Sequence, residues 1–131
     1  MPEQKYDLED RLLEYGASVV RFIEKMPNTR AANHIAGQLL RSGTSPLLNH
    51  GEAQAAESPN DFVHKMKVCL KELRESQRAL RLIQKVPLTN DPADLDPILQ
   101  ETDELTRIFV VSIRTAMNNK VCENPDDGYE V

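Results

Sequence analysis

The chain has no tryptophan, three tyrosines, three phenylalanines and two cysteines. So few aromatic residues, with few β-branched runs, argue against sheet, whose pleated surfaces favour those side chains. Cys69 and Cys122 are too few and too far apart for a disulfide framework or a paired zinc motif. No apolar run approaches the roughly 18 residues that span a bilayer. The opening "MPEQKYDLED" has neither the basic start nor the apolar stretch of a signal peptide, so a cytoplasmic location with no membrane partner is expected. A glycine-rich phosphate loop and a nucleophile elbow are also missing. What remains is 131 residues, 40% hydrophobic and 28% charged, enough for one globular domain that buries roughly 70% of its unfolded surface.

The apolar residues that are present recur at helical spacing. Leu8, Leu12, Tyr15, Val19, Phe22 and Met26 alternate four and three residues apart, forming one stripe of a first helix that Pro27 ends. Asn28 or Thr29 caps a second, which carries Ile35, Leu39 and Leu40. Ser58, Pro59 and Asp61 are a start signal for a third: a capping hydroxyl, a proline where no donor is needed, and an acid in the positive first turn. Its seam is Phe62, Met66, Cys69, Leu73, Ser76, Leu80 and Ile83, until Pro87. Cys69, within that seam, reads as a core thiol.

A fourth helix begins at Asp91-Pro92 or Asp96-Pro97 and reaches about Asn119, with Leu95, Ile98, Thr102, Leu105, Phe109, Ser112 and Ala116 facing inward. Residues 121–131 are acidic and aperiodic and are expected to be a disordered tail on a bundle spanning 1–120. Four such helices on short connections predict an all-α, antiparallel up-down-up-down four-helix bundle. Seams repeating every seven residues suit its shallow crossing angles.

The second helix contains an anomaly, "LLRSGTSPLLNHGEAQAAES", from Leu39 to Ser58. Pro46 removes one backbone hydrogen bond and presses on the carbonyl of Ser42, which costs about 3 kcal/mol in a regular helix. A break near Gly43 to Pro46 is expected, with "EAQAAE" resuming the helix as a kinked rod to Glu57. Gly37, Gly43 and Gly51 are expected to let a neighbouring helix approach closely.

The strings "HIAGQLLRSGTS", Asn49, Glu52, "AAES" and "DFVHKMKVCLKELRES" closely resemble the four-helix-bundle family of proteins encoded within intervening sequences of bacterial 23S ribosomal RNA genes. The resemblance covers about residues 7 to 116. It implies an antiparallel bundle assembling into ring-shaped homo-oligomers, pentamers in that family, most of them without an established activity. A related bundle, the accessory protein of diversity-generating retroelements, works with a reverse transcriptase and contacts nucleic acid, which implies RNA, DNA or a protein as further partners. Within the family-like string, Arg41, Glu52, Glu57, Glu72 and Glu75 are candidates for a polar network between helices 2 and 3.

Candidate chemistry is concentrated on helix 3. Lys67, Lys71, Arg74, Arg78, Arg81 and Lys85 again alternate four and three apart, which puts all six within about 80° of one face. Between Ser58 and Val86 there are seven basic and three acidic residues, against nine and eighteen elsewhere, so positive charge is segregated in a chain of net charge −5. Such a ridge reads as a nucleic-acid-binding track for phosphates. It also reads as a solvated face, or as a row paired with acids of helices 1 and 4 or of the next copy. No cofactor or metal is expected: Asp61-x-x-His64 is half of a bundle di-metal motif, and neither His34 nor His50 supplies the other half. Without an adjacent nucleophile and base, no enzyme activity is expected.

Overall fold

The computed structural model describes residues 7–123, with side chains through residue 119, and places them in four helices: α1 (Leu8–Glu24), α2 (Arg30–Gln54), α3 (Pro59–Lys85) and α4 (Pro92–Glu123). Each of the first three starts on a side-chain cap. Asp7 accepts from the Asp10 N–H at 2.8 Å, Thr29 from Ala32 at 3.2 Å and Ser58 from Asp61 at 3.0 Å, satisfying donors that the first helical turn leaves open. For α2 the cap is therefore Thr29, and Asn28 instead accepts from the Asn33 side chain. Between the two candidate starts of α4, the chain takes Pro92, leaving Pro97 inside the helix. The helix runs past Asn119 to Glu123, and the rest of the acidic tail lies outside the described residues.

Helices adjacent in sequence pack side by side, α4 returns to α1, and the two diagonal pairs meet only through side chains that reach across the core, as His50 does to Phe109. This is the up-down-up-down four-helix bundle. Leu12, Val19, Leu39, Cys69, Leu73, Leu80, Ile83, Leu105 and Phe109 are buried at its centre. Removing one such side chain from water contributes about 1.5–3 kcal/mol before the entropy of ordering it is counted. Along α4 the inward seam begins as expected and then shifts by one residue, so that Ile113 and Met117, rather than Ser112 and Ala116, are buried. A straight helix of 3.6 residues per turn drifts about 20° per heptad, so over three heptads the inward line moves by roughly 60° away from a strict seven-residue repeat.

Halfway along, the core holds one polar side chain from each helix. Tyr15 Oη and Thr102 Oγ1 are 2.7 Å apart, and Ser42 Oγ lies 2.8 Å from Ser76 Oγ. Burial raises the Tyr15 phenol above its ordinary pKa, with hydrogen bonds from Thr102 and Ser76 opposing the rise. Because an unpaired hydroxyl in the core is costly, this layer favours a single alignment of the four helices.

The small residues of α2 divide into two sets. A Cβ on Gly43 would stand 2.8 Å from Val19 Cγ1, so α1 and α2 meet as closely there as glycine allows. Gly16, on α1, faces the Gly43 carbonyl in the same contact. Gly37 and Gly51 meet nothing within 4 Å, contrary to the expectation that they too serve close approach. Leu40 is likewise 42% exposed rather than inward. Helical structure runs through Gly43–Pro46 without a break and ends at Gln54, short of Glu57. Polar side chains on either side of Pro46 bond back to the preceding turn: the Thr44 hydroxyl donates to the Leu40 carbonyl at 2.7 Å, and Asn49 Nδ2 donates to the Ser45 carbonyl at 3.1 Å. No helix among the described residues is long and apolar enough to cross a membrane.

Candidate nucleic-acid interface

The third helix carries its proline only at the first position, so its two faces keep their register from Ser58 to Lys85. One face buries Val63, Met66, Cys69, Leu73, Ser76, Leu80 and Ile83. On the far side of the same helix Lys71, Arg74, Arg78, Arg81 and Lys85 are exposed, while Lys67 is half-buried and has an interaction of its own. Among the described residues none of those five forms an ion pair.

The acids that could neutralise them are engaged elsewhere. Glu72 and Glu75, the carboxylates nearest in sequence, turn toward α2, where Arg41 Nη1 donates to Glu72 at 2.7 Å and Nη2 to Glu75 at 2.8 Å. These hydrogen bonds and charges hold the Arg41 guanidinium more firmly protonated, the bond to Glu75 first among them. On α4, Glu101 and Glu104 accept from Arg11 of α1 at 2.7 and 3.1 Å, and Asp94 pairs with Lys25 at 3.3 Å. Gln77 donates to Asp103. For Lys71, Arg74, Arg78, Arg81 and Lys85, pairing with acids of helices 1 and 4, left open by the sequence, is thus not made among the described residues.

Of the five residues considered for a polar network, Arg41, Glu72 and Glu75 come together between α2 and α3. Glu72 is buried, so its charge depends on Arg41 for compensation. Glu52 pairs instead with Lys65, at 3.0 Å, and raises its pKa. Glu57 is exposed and takes part only through its backbone N–H, which donates to Asp61 at 3.3 Å.

Two cations that the reading of α3 missed are Arg107 and Arg114, both exposed and seven residues apart on α4. Arg114 lines a cleft between α3 and α4 together with Lys67, Lys71 and Arg74. Two-turn spacing of arginines on an exposed face was the available signal, diluted by the acids that surround it in sequence. Arg11 was also missed, since its partners lie some 90 positions away in the chain.

Cys69, Ser42, Ser76 and His50, groups of the kind that do covalent chemistry, are withdrawn into the core. Burial pushes the Cys69 thiol up to about 12, and its sulfur donates only to the Pro46 carbonyl, at 3.5 Å. Ser42 and Ser76 hydroxyls pair with each other. His50 is buried edge-on against Phe109, with Gln54 Nε2 at 3.3 Å from Nε2, and its Nδ1 has no hydrogen-bond partner although Glu9 Oε1 is 3.8 Å away. No group of three His, Cys, Asp or Glu side chains among the described residues is placed to hold a metal ion.

A protein of unknown function from the S23 ribosomal protein family of Bacteroides thetaiotaomicron has a similar solved structure. It is 28% identical, with a TM-score of 0.73 over 82% of this chain and 98% of that one. No curated protein matches the chain. The family model described as 23S rRNA-intervening sequence protein matches residues 4–110, over the helices that build both the core and the cationic row. With most of its length so matched, the chain belongs to the family of 23S rRNA-intervening sequence proteins.

Proposed function

We propose that this chain is a non-catalytic helical bundle that binds nucleic acid along the outer face of α3 and works as an assembly of several copies. The observation that carries this reading is the row Lys71, Arg74, Arg78, Arg81 and Lys85, exposed and without carboxylate partners among the described residues, in a chain of net charge −5. From Lys71 to Lys85 the row runs about 21 Å along the helix, which several consecutive phosphates can follow. The net negative charge of the remainder disfavours approach of polyanions away from the row and so helps to orient them. The family's association with 23S ribosomal RNA genes is consistent with an RNA-containing partner.

Several copies arranged in a ring would multiply the row and strengthen binding through effective concentration. Apolar side chains on the outside of α1 and α2 support assembly: Leu13 is 56% exposed and Leu48 67%, with Val20 and Leu40 also open to solvent. The contacts of Gly16 with Gly43 and Thr44, and of Glu9 with His50, fix an antiparallel register in which Val20 lies level with Leu40, and Leu13 with Leu47 and Leu48. The same apolar strip favours a second reading, a protein-interaction scaffold without nucleic-acid contact.

One measurement separates the two. Fluorescence anisotropy with a structured RNA and a single-stranded DNA is recorded across salt, for the wild type and for Arg74→Glu, Arg78→Glu, Arg81→Glu combined. Five phosphate contacts predict a loss of about a hundredfold or more in affinity between 50 and 200 mM salt. The variant is expected to lose binding while keeping its mass and melting temperature. Absence of binding by the wild type at low salt, or a variant that dissociates to single chains, favours the scaffold.

A further inference from the structure

The row of cations is bordered on each side by a cleft, and the two differ in charge. Toward α2, a cleft of about 320 Å³ is lined by Arg41, Ser42, Glu75, Arg78 and Leu82 among others, and the Arg41–Glu75 pair leaves Arg78 as its one uncompensated charge. Toward α4, a cleft of about 380 Å³ has Lys67, Lys71, Arg74 and Arg114 around it and Leu70, Val110 and Ile113 beneath. Among the described residues no carboxylate lines this second cleft. Its rim is cationic and its floor aliphatic, and its size is within the roughly 300–1,000 Å³ of small-molecule sites.

A simple anion would satisfy the rim and leave the floor wet. An uncharged apolar molecule would cover the floor and leave three unpaired cations, Lys71, Arg74 and Arg114, beside it. A nucleotide of a single strand has both parts, a phosphate for the rim and a flat base for the floor. Where no aromatic side chain lines the cleft, the guanidinium planes of Arg74 and Arg114 can take the stacking role. A duplex offers only phosphates here, because its bases are already stacked and paired. Its backbone also winds away from a straight helix, whereas a single strand can bend to follow one.

We infer that the cleft between α3 and α4 holds one unstacked nucleotide, its phosphate among Lys71, Arg74 and Arg114 and its base over Leu70, Val110 and Ile113. The chain thereby selects single strands over duplexes. This rests on the nucleic-acid reading of the α3 row and adds a base-contacting site to it.

The test compares three probes on the full chain at low salt: a labelled single strand, the same strand annealed to its complement, and a strand of equal length whose bases are replaced by abasic sites. The single strand is expected to bind about tenfold more tightly than the other two, in line with the stacking of one base. Val110→Asn, which removes floor without changing charge, is expected to abolish the difference while leaving duplex binding intact. The abasic probe alters the ligand and not the protein, so it decides the matter even where that variant folds poorly. Equal binding of all three probes overturns the cleft site and leaves the phosphate track standing. Preference for the duplex likewise overturns it, and binding of none removes both.

Discussion

The seams around α1 and the outer faces of α2 and α3 use the same residue types to opposite ends. Arg11 is fixed between α1 and α4 by Glu101 and Glu104, and the Glu101 hydrogen bond foremost raises its pKa. Arg78, on the outside of α3, has no such partner among the described residues. Gly43 is pressed against Val19, whereas Gly37, less than two turns earlier on α2, faces open space. Residue type therefore does not tell whether a side chain serves the fold. What it meets does, and the unmatched groups are the ones available to an outside partner.

Paired substitutions sharpen this contrast, beginning with the largest effect. Gly43→Ala forces α1 and α2 apart or distorts Val19, and a loss of about 1–3 kcal/mol is expected in chemical denaturation. Gly37→Ala, on the open face of the same helix, should gain about 0.5–1 kcal/mol by restricting the unfolded chain. Equal effects at the two positions would refute the close crossing. Arg11→Met is expected to cost about 1 kcal/mol, and less at high salt, because its two carboxylates are only partly shielded from solvent. Arg78→Met should leave the melting temperature nearly unchanged.

The smallest effect is one of slope. Burial lowers the His50 pKa from its ordinary 6.5, while Glu9 and then Asp7 partly offset the shift, and Gln54 and Phe109 complete its surroundings. A base whose folded pKa is depressed binds fewer protons in the native than in the unfolded state, so its contribution is complete above about pH 6.5 and is lost as pH falls below that. Denaturation midpoints between pH 7 and 5.5 should therefore decline more gently in His50→Gln than in the wild type. An unchanged slope would mean that His50 is solvated enough to titrate alike in both states.

Much of the architecture could be read from spacing alone. The cap Ser58, a second cap at Asn28 or Thr29, the stop at Pro27 and the seven-residue seam of α3 are local signals, each acting within a turn or two of itself. The course of α2 was harder, because Pro46 argues locally for a break, whereas in the fold it is buried within a helix that continues through it. The cationic row was legible as a row, since periodicity shows which residues share a face. Its lack of partners was not, since that depends on Arg41 drawing Glu72 and Glu75 to α2 and on Arg11 drawing Glu101 and Glu104 to α1. Arg114 escaped notice for the same reason: it joins the row only across a helix pair.

Sequence by itself determined the four helices, the inward stripes of α1 and α3 and that of α4 as far as Phe109, and the segregation of positive charge onto α3, because all three follow from the 3.6-residue period and from chain-local capping. Only the tertiary structure decided which charges cancel and which glycine is crowded. It also decided that an aliphatic floor lies beside the cations. These depend on residues far apart in the chain being brought within a few ångströms, a distance over which ion pairing and close packing act and which no local period encodes.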